Sequence, residues 1–144
     1  MTRIDYYIVN AQDSAQRLLF ACRVIEKAFR KGHLVYVHTE DEQTAGEMDQ
    51  ALWSFRSDSF IPHHRLDENS GPPAAVEIGT NLPPGRHHDV LVNLSNQIPD
   101  FFSRFERVAE IVSQQPEVLK ASRTNYSFYR DRGYPLHNHD LRNH

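Results

Sequence analysis

Apolar positions along this chain follow two rhythms in alternation, one of period two and one near 3.6. Residues 3–9, RIDYYIV, gather β-branched and aromatic side chains and predict an opening strand. After a polar linker, Leu18, Cys22, Ile25 and Phe29 step by four, three and four, which puts them on one face of a helix. Ser14 is the expected N-cap and Gly32 the stop. Residues 33–38, HLVYVH, form a second strand, apolar enough for cover on both faces. Residues 41–55 predict a second helix, with Asp41 and Glu42 at the positive end of its dipole. Ala45, Met48 and Leu52 make its buried stripe, with Trp53 at the edge.

From Asp67 to Gly85 the chain is mostly loop, punctuated by Pro72, Pro73, Pro83 and Pro84 around a short AAVEI strand. DVLVNLS, residues 89–95, is another buried strand. PDFFSRFERVAEIVS predicts a helix from about Pro99, with Phe101, Phe105, Val108 and Val112 at core spacing. A final helix runs from Pro116 to Arg132 and ends at Gly133. This alternation of strands and helices predicts an α/β fold: a single Rossmann-like domain with a mostly parallel sheet and helices on both faces. The domain is expected over residues 1–136, and residues 137–144 form a polar C-terminal tail expected to fray.

Composition sharpens the picture. At 144 residues, 39% hydrophobic and 24% charged, the chain suits one soluble globular domain. A formal net charge of −3 argues against coating duplex DNA by electrostatics alone. The single cysteine, Cys22, has no disulfide partner within the chain and suits a reducing cytoplasm. No leader or membrane-spanning stretch is apparent, so a cytoplasmic location is expected.

Signatures of catalysis are missing. There is no GxGxxG after the first strand and no GxxxxGK[ST], so no glycine-rich loop cradles a pyrophosphate. The nine histidines include the pairs His63/His64 and His87/His88, which on a strand point to opposite faces. Only His137-x-His139-Asp140 has ligand-like spacing, and neither HExxH nor CxxC occurs, so no metal or cofactor is expected. No GxSxG elbow is present, and the carboxylate pairs Glu40/Asp41 and Asp67/Glu68 suit turns and helix starts. A metal- or nucleotide-dependent enzyme on an α/β fold is the competing reading, and direct nucleic-acid binding is a third.

Two stretches have the chemistry of contact. On the last helix Leu119, Arg123, Tyr126 and Arg130 share a stripe, flanked by Lys120 and Ser127, while Val118, Ser122 and Tyr129 face the core. Cations interleaved with apolar surface suit an acidic peptide, whose carboxylate an arginine grips with two parallel hydrogen bonds. An ordinary solvated helix face, basic near its negative end, would look the same. In ALWSFRSDSFIPHH, Trp53 closes a helix, and Phe60 and Ile61 precede Pro62, which holds Ile61 extended. That segment serves either as a dock for another protein or as a plug for the open end of the core.

Further motifs carry a resemblance. DEQTAGEMDQALWSFRSDSFIPH, the pattern Gly71, Pro73, Val76, Glu77, Ile78, the strand DVLVNLS and the R-x-x-Y-x-x-Y-R-x-x-G-Y run from Arg123 to Tyr134 resemble the chi subunits of bacterial DNA polymerase III holoenzyme. They cover most of the chain in the family's order. The resemblance implies a non-catalytic adaptor with a Rossmann-like fold. It binds the psi subunit of the clamp loader and the acidic C-terminal tail of single-stranded DNA-binding protein, and in some bacteria a helicase-like repair partner. It further implies that Trp53 and Phe60, with Ile61 and Pro62, meet psi, and that Arg123 is central to the tail site with Val112, Tyr126 and nearby cations. Ser127 and Leu119 stand where the family has basic residues, which implies a weaker cationic rim and milder salt sensitivity.

Overall fold

The computed structural model describes residues 1–56, 58, 60–66 and 73–143. Its frame is a seven-stranded, wholly parallel sheet. The strands are β1 (Arg3–Ile8), β2 (Val35–Thr39), β3 (His63–Arg65), β4 (Val76–Thr80), β5 (Val90–Asn93), β6 (Arg107–Val112) and β7 (Leu136–Asp140). Their spatial order is β3-β4-β2-β5-β6-β1-β7. Three helices, α1 (Ser14–Arg30), α2 (Glu42–Ser54) and α3 (Pro116–Asp131), cover the two faces, as the α/β reading predicts.

Side-chain alternation along the strands sorts the core into two layers. Val9, Val35, Val37, Val90 and Val92 join Leu18, Ile25 and Met48 beneath α1 and α2. Ile4, Tyr6, Tyr36, Leu91 and Val108 join Phe102, Phe105 and Tyr129 beneath α3. β2 and β5 are buried along their whole length, which is why both read as nearly continuous apolar runs.

Local signals account for most of the helix ends. Asp13, rather than Ser14, caps α1: its carboxylate accepts from the Gln16 backbone N–H at 2.9 Å. Asp41 caps α2 in the same way, accepting from Thr44 N–H at 2.7 Å. Pro116 opens α3, where its missing N–H costs nothing. Gly32 and Gly133, at φ of 86° and 77°, turn the chain out of α1 and α3.

Two expectations are overturned. The helix expected from Pro99 is instead a short 3-10 turn, Phe102–Arg104, leading into β6 in the middle of the sheet. Val108 and Val112 lie four apart, a spacing that satisfies both the helical period and the two-residue period of a strand, and the run is β-branched and buried on both faces. The polar end does not fray over 136–140: β7 pairs in parallel with β1, from Ile4 opposite Leu136 to Ile8 opposite Asp140. A polar strand suits an edge, where one side meets water. β3, the opposite edge, goes unmarked in the hydrophobic pattern because it is a three-residue strand, His-His-Arg.

Candidate functional site

At the β3 edge, α2 ends with Trp53 one residue past the buried Leu52, about 100° further round the helix and therefore outside the core. Trp53 is 53% exposed and Phe60 67%, and their ring centroids are 5.8 Å apart. Among the described residues they are the two aromatic members of the exposed large apolar set. Ile61 is buried in the α1/α2 layer, so it anchors the segment rather than presenting a surface. Pro62 is half-buried, and its carbonyl accepts from Val76 N–H at 3.1 Å, tying the segment to β4.

The tryptophan is supported from within. The buried His63 ring lies 4.7 Å from Trp53, its Nδ1 sits 2.6 Å from the Ile61 carbonyl, and its Nε2 is 3.4 Å from Asp49 Oδ1. Neither Asp49 nor His63 stands out in the sequence as part of this surface. A signal was available in retrospect: on α2, Asp49 lies four residues before Trp53, on the same helix face.

On the other face, α3 displays the stripe expected from its spacing. Arg123, Lys120 and Arg130 are exposed, whereas Leu119, Tyr126 and Ser127 are half-buried. Leu119 and Tyr126 pack on the core layer that contains Val112, which is itself 5% exposed and supports the surface from below. Tyr126 is fixed from two sides, with its ring 5.1 Å edge-on to Tyr6 and its hydroxyl accepting from Asn138 Nδ2 at 3.2 Å. Asn138 belongs to β7, so the expected tail contributes to the wall of this surface. Arg130 pairs with Asp131 at 3.2 Å, whereas Arg123 makes no ion pair among the described residues.

The inward face of α3 is Asn125 and Tyr129, with Ser122 only half-buried. Beneath it Glu110 of β6 takes hydrogen bonds from Tyr129 at 2.8 Å and from Asn93 Nδ2 at 3.1 Å. Burial pushes the Glu110 carboxyl up to about 7, against the opposing pull of Asn93, Tyr129 and the Arg17 charge. Desolvation likewise raises the Tyr129 and Tyr6 hydroxyls, so both stay protonated.

Among the described residues no group of three or more His, Cys, Asp or Glu is arranged to hold a metal ion. His139 is engaged instead by the buried Asp5, Nε2 to Oδ1 at 2.9 Å, and stacks on Tyr7 at 4.8 Å. Cys22 is buried, and its thiol is pushed up to about 12, away from thiolate chemistry. Among the described residues no helix is long and apolar enough to cross a membrane.

The fold is that of a Rossmann-like α/β domain, with an exposed aromatic pair at one sheet edge and exposed cations along α3. Residues 1–137 match the family described as DNA polymerase III chi subunit, HolC. The DNA polymerase III subunit chi of Pseudomonas aeruginosa is 45% identical over 141 residues, covering 98% of each chain. That of Escherichia coli is 30% identical over 116 residues, covering 80% of this chain and 79% of the other. The chain belongs to the DNA polymerase III chi subunit family, accessory rather than catalytic subunits of that holoenzyme.

Among solved structures, T4 UvsW superposes with a TM-score of 0.67 at 8% identity, over 97% of this chain and 42% of that one. The Mss116p DEAD-box helicase domain 2 bound to an RNA duplex superposes with a TM-score of 0.59 at 9% identity, over 96% of this chain and 65% of that one. At such identities the likeness establishes the fold alone.

Proposed function

We propose that this chain is a replication adaptor with two protein-binding surfaces. Trp53, Phe60 and Pro62, anchored by Ile61, meet the psi subunit and so tie the chain to the clamp loader. The α3 stripe, with Arg123 at its centre and Leu119, Lys120, Tyr126, Ser127 and Arg130 around it over Val112, takes the acidic C-terminal tail of single-stranded DNA-binding protein. Together they link the polymerase to coated lagging-strand template in the cytoplasm. A helicase-like repair protein would compete with psi for the aromatic surface.

The observation that carries this reading is the exposed Trp53–Phe60 pair, whose two rings stand 5.8 Å apart in water at a sheet edge. Exposed aromatics contribute little to an isolated fold, yet they are favoured anchors in interfaces. Arg123, free of any ion pair among the described residues, supports the second surface through its fork of donors. Leu119 and Ser127 leave fewer cations around it, so tail binding should fall less steeply with salt than in relatives with basic residues there.

Calorimetric titration with a peptide copying the tail of the host's own single-stranded DNA-binding protein tests the reading. Binding that is lost in Arg123→Ala and kept in Phe60→Ala is the expected result. A folded wild type that does not bind the peptide would remove the bridging role.

A further inference from the structure

The sheet face that carries α1 and α2 is only partly roofed. α1 packs mainly on β2, β5 and β6, and α2 on β2, β3 and β4, so the main contacts of both helices lie away from β1 and β7. Between the flank of α1 and the β1/β7 side of the sheet runs a groove of about 320 Å³. Its walls are apolar. Phe20, Val24 and Ala28 descend one ridge of α1 at four-residue intervals, and Tyr7, Ala109 and Leu141 lie across from them.

The rim is cationic. Arg23, Lys27 and Lys31 continue along the next ridge, again four residues apart, with Arg107 rising from β6. No carboxylate lines the groove, and Arg23, Lys27 and Lys31 have no ion pair among the described residues. Arg23 lies over the Phe20 ring at 5.1 Å, while Arg107 is engaged by Asp5 at 3.3 Å. The helix dipole accounts for cations in the last turn of α1, but not for Arg23 well before it, nor for the apolar walls beside them.

The spacing of the cations limits what fits. Side chains four apart on a helix repeat about every 6 Å along its axis. Alternate residues of an extended chain repeat about every 6.6 Å, with the intervening side chains pointing the opposite way. We propose that this groove docks an extended acidic peptide segment, its alternate carboxylates meeting Arg23, Lys27 and Lys31 and its intervening bulky apolar side chains entering the groove between Val24, Ala28 and Tyr7. A single-headed anionic amphiphile would satisfy one cation and leave the others unmatched. The groove volume lies at the low end of ligand pockets, enough for one or two side chains and not for a helix.

The test uses the full chain, isotopically labelled, titrated with the peptide Glu-Leu-Glu-Phe-Glu capped at both ends so that it offers no terminal carboxylate. Saturable shifts of the Val24, Ala28 and Leu141 methyl signals are expected. Affinity should fall by about tenfold or more in an Arg23→Glu, Lys27→Glu variant. Lys27→Gln alone gives a smaller loss, and Arg123→Ala none. Shifts confined to α3, affinity indifferent to charge at Arg23 and Lys27, or decanoate moving these signals where the peptide does not would each overturn the proposal.

Discussion

The Tyr129 hydroxyl donates to Glu110 Oε2 at 2.8 Å, so the inner face of α3 is fastened to β6 through a buried carboxyl. Because the folded protein holds that carboxyl at about 7, against an ordinary value of 4.5, its proton is bound more tightly folded than unfolded. As pH rises from about 4.5 to 7 the unfolded chain ionises first, and stability falls by about 3 kcal/mol in total. Glu110→Gln should flatten this part of the pH profile. Urea denaturation of both proteins at pH 5 and pH 8 measures it, and equal pH slopes would mean that Glu110 is not the titrating group.

Gly79 of β4 lies against Tyr36 of the neighbouring β2, and a Cβ there would collide with the tyrosine hydroxyl and ring. Tyr36 has little room to move: it is fully buried, edge-on to Phe101 at 5.7 Å, and donates to the Leu82 carbonyl. Gly79→Ala should destabilise by about 1–3 kcal/mol, as overpacking does. Tyr36→Phe, which removes the nearest atom, should make the same change at Gly79 less damaging, and a double-mutant cycle reads the difference.

Trp53 and Phe60 should be nearly dispensable for folding. Phe60→Ala is expected to shift stability by about 0.5 kcal/mol or less, and Trp53→Ala, which also loses the packing on His63, by about 1 kcal/mol. If they anchor psi as proposed, each replacement weakens that complex by about 2 kcal/mol or more. Thermal melting and calorimetric titration with psi separate the two effects, and a large loss of melting temperature without loss of psi affinity would mark the pair as a core plug.

His139 holds the edge strand to the sheet through Asp5 and Tyr7. His139→Ala leaves Asp5 with Arg3 at 3.1 Å and Arg107 at 3.3 Å, so the carboxylate is weakened in its pairing but not abandoned. A loss of about 1.5–3 kcal/mol is expected, the range for a hydrogen bond to a charged group. Hydrogen exchange should locate it, with the amides of β7 opening sooner while those of β5 stay protected.

The parallel sheet and most of its elements are legible because strands buried on both faces leave apolar runs, and α1 leaves a clear 3.6-residue stripe. What escaped did so for physical reasons. β6 combines β-branched residues with a four-residue spacing that two periods share, and β7 is polar because one of its sides is solvated. The α3 stripe follows from counting residues, but the contribution of Asn138 to it does not, since it depends on β7 lying beside β1. Likewise the sequence marks Trp53 and Phe60 as unusual without saying which side of them faces water. Their exposure is set by the buried Leu52 and Ile61 beside them.

The strand order has a consequence for how the protein is made. β1 leaves the ribosome before the other strands of this sheet, yet both of its neighbours, β6 and β7, lie beyond residue 106. At about 5–20 residues per second, roughly a hundred residues of synthesis separate β1 from its first partner, on the order of 5–20 s. During that interval Ile4, Tyr6 and Val9 have no sheet to join. The nascent chain therefore carries an unsatisfied apolar strand until β6 has been made, and it is in this window that a chaperone has something to hold.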